Sequence, residues 1–93
     1  FEVVMAKVVI TELTTPGCHI CAEAKKFFEE EFKPQFLEVE VRYVSVLDEE
    51  GQELVSRHTI FASPAIFVNG ELISTGGFSK KNIIEKVKIL LSE

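Results

Sequence analysis

The chain contains no tryptophan, one tyrosine, one methionine, three prolines and only two cysteines among 93 residues. Without tryptophan, the core of one small domain must come from eight phenylalanines together with isoleucine, valine and leucine. Two cysteines cannot form the disulfide framework of a secreted mini-protein. A zinc site within one chain would need His19 and His58 to join them through folding. Basic excess is also missing. Ten Lys and Arg against fifteen Asp and Glu leave a net charge of −5, which argues against a nucleic-acid partner. The pair Lys25-Lys26, set among acids, reads as solvated surface. No run approaches the length of a membrane span. The opening "FEVVMAKVVITEL" is apolar but short, has no basic lead and carries Glu12, so it does not read as a signal peptide. A cytoplasmic protein without membrane contact is therefore expected. A single domain over 1–93 is expected too, in which residues 1–5 are either a disordered or foreign leader or native chain with Met5 internal.

What is present has a clear order. "VVITEL", residues 8–13, reads as a strand, followed by the breaker cluster Thr14-Thr15-Pro16-Gly17. A helix is predicted from about Cys18 to Phe32, with Ile20, Ala24, Phe27 and Phe28 on one stripe and Pro34 as terminator. "VEVRYVSV", 39–46, is a second strand. Asp48 is placed to cap a short helix over about 49–58, which Gly51 should weaken and Leu54 and Val55 should anchor. "PAIFV" and "ELIST" form two strands joined through Asn69-Gly70, a strong hairpin signal. Ser79 then caps a last helix to about Leu91, whose Ile83, Ile84, Val87, Leu90 and Leu91 make one apolar face. The order is β-α-β-α-β-β-α: an α/β fold with a mixed four-stranded sheet. Its first half can form right-handed parallel crossovers, and its second half ends in an antiparallel hairpin. The apolar first and third strands suit a sheet with helices on both faces.

The cysteines stand as "CHIC", residues 18–21, where the first helix opens. Unpaired N–H groups and the helix dipole favour an anion there, and so a thiolate at Cys18. Cys21, one turn further in, is placed to attack a mixed disulfide formed at Cys18. Other readings of the pair stay open at this point: zinc ligands, a metal or iron–sulfur site shared between chains, or inert core thiols. The intervening His19 either stabilises the Cys18 thiolate as an imidazolium or only covers nearby surface. His58 reads as a helix-end residue and Tyr43 as packing.

With these residues in view, the chain resembles the thioredoxin and glutaredoxin superfamily. The likeness runs through "VVITELTTPGCHIC", "ELVSRHTIFASPAIFVNGE" and "ISTGGFSKKNI". It implies a thioredoxin-like fold and an enzyme, a dithiol oxidoreductase that reduces protein disulfides. In that likeness Cys18 is the nucleophile and Cys21 the resolving thiol. Pro64 matches the family's cis-proline, and the Ser63 backbone would pair with a substrate chain. Glu12 matches a buried acid that moves the proton of the resolving cysteine, in keeping with the raised pKa expected of a carboxyl in an apolar strand. Gly76-Gly77 resembles the glutaredoxin pair that admits glutathione. Ile20, Phe61 and Pro64 would form the docking patch for substrate proteins. No bound cofactor is implied beyond the redox-active disulfide. Electrons would come from a thioredoxin reductase-like donor or from glutathione, and a monomer is expected. The motif differs from both branches, with Gly17 before it, His19-Ile20 within it, and Ala62-Ser63 before Pro64. That mixture is similar to small glutaredoxin-like proteins of archaea and bacteria. A glutathione-dependent glutaredoxin and a non-enzymatic metal-binding or redox-sensing module are the alternatives.

Overall fold

The computed structural model describes residues 8–60 and 62–93, so the expected leader and Phe61 lie outside the described residues. The chain folds as β1 (Val8–Thr14), α1 (His19–Phe27) continuing into a π-helical segment (Phe28–Phe32), β2 (Val39–Ser45), α2 (Glu49–His58), β3 (Ala65–Val68), β4 (Glu71–Thr75) and α3 (Lys80–Leu91). The sheet order is β2-β1-β3-β4. β1 and β2 are parallel, whereas β1–β3 and β3–β4 are antiparallel. Only one of the anticipated parallel crossovers therefore forms, through α1. α2 returns the chain to the far side of β1, so β3 runs against it.

Alternation along β1 sends its side chains to two cores. Val8 and Ile10 face a phenylalanine-rich cluster with Ala24, Phe27, Phe28 and Phe32, closed by Ile83 and Val87 of α3. Leu13 faces the smaller cluster of Val44, Ile60, Ala65 and Phe67, against which Leu54 and Val55 of α2 pack. Helices thus cover both sheet faces, as the apolar central strands require.

Three local features depart from simple expectation. The predicted 18–32 helix is α-helical only to Phe27. Beyond it the turn widens, and the Lys33 N–H reaches Phe28 O at 2.9 Å. The wider turn keeps Phe28, Phe32 and Phe36 on the core side, with ring centroids 5.7 Å and then 4.7 Å apart. Asp48 does not cap α2 with its side chain; its Oδ2 accepts from the Ser45 N–H at 3.3 Å and closes the turn before the helix. Gly51 is no weak point. A Cβ there would lie 1.9 Å from Ser45 O, so its lack of a side chain is what lets α2 cross this turn. Elsewhere the local signals hold. Asn69 and Gly70 adopt φ of 50° and 84° in the β3–β4 turn. Ser79 Oγ accepts from the Asn82 N–H at 3.2 Å.

Candidate active site

The site lies at the end of β1, where the chain turns into α1. The Cys18 N–H donates to Thr15 O at 3.2 Å, and Gly17 takes φ of +78°. Pro-Gly at the centre of such a turn supplies the fixed φ and then the positive φ that it needs. Cys18 is the N-cap of α1. Its backbone is extended and its Sγ accepts from the Cys21 N–H at 3.1 Å. The sulfur therefore sits where a serine or aspartate oxygen would cap a helix, at the positive end of the dipole. Cys18 and Cys21 are joined as a disulfide, with Cα atoms 5.2 Å apart. Cys18 is half-buried, whereas Cys21 is only 4% exposed. One cysteine of the pair is partly exposed and the other is buried.

Opposite Cys18 stands the loop before β3, with the Ser63–Pro64 peptide cis and Pro64 buried. Ser63 Oγ donates to Cys18 Sγ at 3.8 Å and accepts from Thr15 Oγ1 at 2.9 Å. The Gly76 N–H donates to Pro64 O at 2.9 Å. Gly76 has φ of +78°, and a Cβ on it would come within 3.2 Å of Ala62 Cβ. The turn after β4 thus abuts the proline loop, and Gly76 has a backbone reason to be glycine. Around a Cβ on Gly77 the space is open.

Glu12 is fully buried on the sheet face that α1 covers. It lies between Ile10, packed beneath Ala24 and Phe27, and Thr14, which lines an open cavity of about 340 Å³ with Cys18, Cys21 and Lys25. Neither carboxyl oxygen has a hydrogen-bond partner among the described residues. Burial pushes its pKa from the ordinary 4.5 up to about 7, against the opposing pull of the Lys25 ammonium. The parallel register sets Tyr43 beside Glu12, and Lys25 Nζ lies 5.1 Å from the centre of the Tyr43 ring. The Tyr43 hydroxyl donates to Glu29 Oε2. Burial, then that bond, raises the tyrosine pKa, while the same bond is the main cause that lowers that of Glu29. Lys25 is therefore not simply solvated surface, and Tyr43 does more than pack.

His19 lies on the exposed side of α1, its side chain 88% exposed, with Nε2 2.9 Å from Glu23 Oε2. His58 meets the ring of Phe67 edge-on at 5.0 Å, as a helix-end residue covering the core. Ile20 is 42% exposed beside the disulfide. Among the described residues, no three or more His, Cys, Asp or Glu side chains gather as a metal site, and no helix is long and apolar enough to cross a membrane. Thr15, Lys25 and Tyr43 are the site neighbours that sequence reasoning missed. Thr15 bonds to a residue 48 positions away, and the other two depend on the β1–β2 register.

Residues 6–88 match the thioredoxin-domain family model. A thioredoxin of Methanocaldococcus jannaschii is 33% identical over 84 residues, which cover 90% of this chain and 96% of that protein. Among solved structures, a poplar thioredoxin h superposes with a TM-score of 0.71 at 18% identity, covering 95% of this chain and 79% of the other. The thioredoxin of Fasciola hepatica gives 0.68 at 16% identity, covering 90% and 81%. These two likenesses speak to the fold alone. The family match, the full-length relative and the Cys-x-x-Cys pair opening α1 converge: the chain belongs to the thioredoxin family and is a thiol–disulfide oxidoreductase.

Proposed function

We propose that this protein is a monomeric reductant of disulfides in other proteins, working in the cytoplasm and recharged by a thioredoxin reductase-like donor. The observation that carries this reading is the asymmetry of the pair: a half-buried Cys18 sulfur capping a helix, and a screened Cys21 on the side where Glu12 lies buried. Cys18, as thiolate, attacks one sulfur of a substrate disulfide, and the other substrate sulfur leaves with the electron pair. Glu12 takes the proton of Cys21, whose sulfur then attacks Cys18 Sγ. The substrate leaves as a dithiol, and the Cys18–Cys21 disulfide takes the form seen in the structure. Two electrons from the donor restore the thiols.

Pro64 and the Ser63 backbone align the substrate chain, and Ile20 and Phe61 supply apolar contact around it. Gly77, with open space where a Cβ would stand, leaves room for a backbone to approach, which suits a substrate chain or glutathione, whereas Gly76 packs against the proline loop. The thioredoxin-domain match over nearly the whole chain favours the reductase over glutathione as donor. His19, turned to Glu23 on the exposed face, is read as surface cover. The test is reduction of a disulfide-bonded protein such as insulin, with thioredoxin reductase and NADPH or with glutathione and its reductase as donor. Turnover with the first donor is expected. Turnover only with glutathione reassigns the donor, and none with either, nor with a chemical dithiol, refutes the reductant.

A further inference from the structure

Two hydroxyls stand in series behind the Cys18 sulfur. Thr15 Oγ1 donates to Ser63 Oγ at 2.9 Å, and Ser63 Oγ donates to Cys18 Sγ at 3.8 Å. A hydroxyl has one proton to give and two lone pairs with which to accept. Since Ser63 accepts from Thr15, its own proton is left for sulfur, and the first bond polarises the second. Both hydroxyls are held by backbone. Thr15 O receives the Cys18 N–H, and the carbonyl after Ser63, that of Pro64, receives the Gly76 N–H. A sulfur in a disulfide is a weak acceptor, whereas a thiolate makes the stronger, charge-assisted bond.

We propose that Ser63 is a catalytic residue through its side chain: its hydroxyl, oriented by Thr15 as a positioning residue, donates to the Cys18 thiolate. The inference rests on Cys18 being the nucleophile and adds a second donor to the Cys21 N–H already aimed at this sulfur. No covalent bond is made or broken by the hydroxyl, which keeps its proton throughout. Its effect is to stabilise the reduced, attacking form relative to the disulfide. Other titratable groups lie around this end of the fold and are left in place when Ser63 is changed. These are the Lys25 ammonium and Cys21 in the shared cavity, the His19–Glu23 pair on α1, and Glu12 below on β1. The described residues of the proline loop, Thr59, Ile60 and 62–64, carry no titratable side chain.

The test titrates Cys18 in the reduced full chain, by thiolate ultraviolet absorbance and by the pH dependence of iodoacetamide alkylation mapped to each cysteine. Ser63→Ala is expected to raise the Cys18 midpoint by about one pH unit, the size expected for one hydrogen bond to a charged group. The same tenfold loss should lower the reduction potential by about 30 mV where Cys18 is ionised. Thr15→Val should shift the midpoint the same way but less, and Ser63→Thr, which keeps a hydroxyl, should restore it. An unchanged midpoint in Ser63→Ala overturns the proposal, as does a Ser63→Thr protein that behaves like the alanine variant. Alkylation that favours Cys21 over Cys18 in the wild-type chain overturns the underlying assignment instead, whatever Ser63 does.

Discussion

Glu12→Gln should make the protein more stable, and by an amount that depends on pH. Folding moves the Glu12 carboxyl from an unfolded-like 4.5 to about 7, because the buried oxygens lose water and gain no hydrogen-bond partner. Between those values the native chain holds a proton that the unfolded chain has released. Stability from this group is therefore complete below about pH 4.5, falls as pH rises, and is gone above about pH 7. At about 1.4 kcal/mol per unit of pKa, the whole change is worth about 3 kcal/mol, a large share of the net stability of a small domain. Glutamine cannot ionise, so the variant loses this dependence. The assay is urea unfolding of wild type and variant, disulfide intact, in steps from about pH 4.5 to about pH 8. Carboxylates whose pKa values are lowered, such as Glu29 and Glu50, titrate alike in both proteins and cancel in the difference. That difference should grow by about 3 kcal/mol in favour of glutamine across the range. A constant difference would show that Glu12 is not held uncharged in the fold, and the proton-transfer role would lose its basis.

Three further outcomes follow from the same geometry. Lys25→Met removes the charge that lowers the Glu12 pKa, so the pH window of the stability loss should extend upward, as a carboxyl NMR titration would record. In stopped-flow kinetics near neutral pH, Glu12→Gln should slow resolution of the mixed disulfide by about a hundredfold, with little effect on the first attack. Equal slowing of both steps would leave Glu12 a structural residue. Gly51→Ala should cost about 2–3 kcal/mol in denaturant unfolding, since the new Cβ would sit 1.9 Å from Ser45 O and the turn must shift. An alanine variant as stable as wild type would show that this turn yields easily.

Much of the architecture is visible in local sequence because its signals are local. Asn69-Gly70, Ser79 and the Pro16-Gly17 turn each act within a few residues, and each does in the structure what its chemistry predicts. The place of Cys18 at the helix start and Glu12 as buried acid are legible for the same reason: one follows a breaker, the other sits in an apolar strand. What Gly51 permits is not legible because helix propensity is local, whereas the approach of Ser45 O is set by how the chain enters α2. The π-helical turn is a tertiary result, in which four-residue phenylalanine spacing is satisfied by widening the helix. Lys25 and Tyr43 meet only once β2 pairs in register with β1. Thr15 and Ser63 meet only when the proline loop closes over the end of β1. Contacts made between strands and between loops are thus less legible than features set within a few residues.

The central claim is the division of labour between Cys18 and Cys21, and single-cysteine trapping tests it most directly. Cys21→Ser and Cys18→Ser proteins are each reduced and mixed with a disulfide-bonded protein, and covalent complexes are mapped by mass spectrometry. The predicted result is a stable complex bonded through Cys18 in the Cys21→Ser protein, and no complex or exchange in the Cys18→Ser protein. A Cys18→Ser protein that captures substrate through Cys21 at a comparable rate would contradict the account.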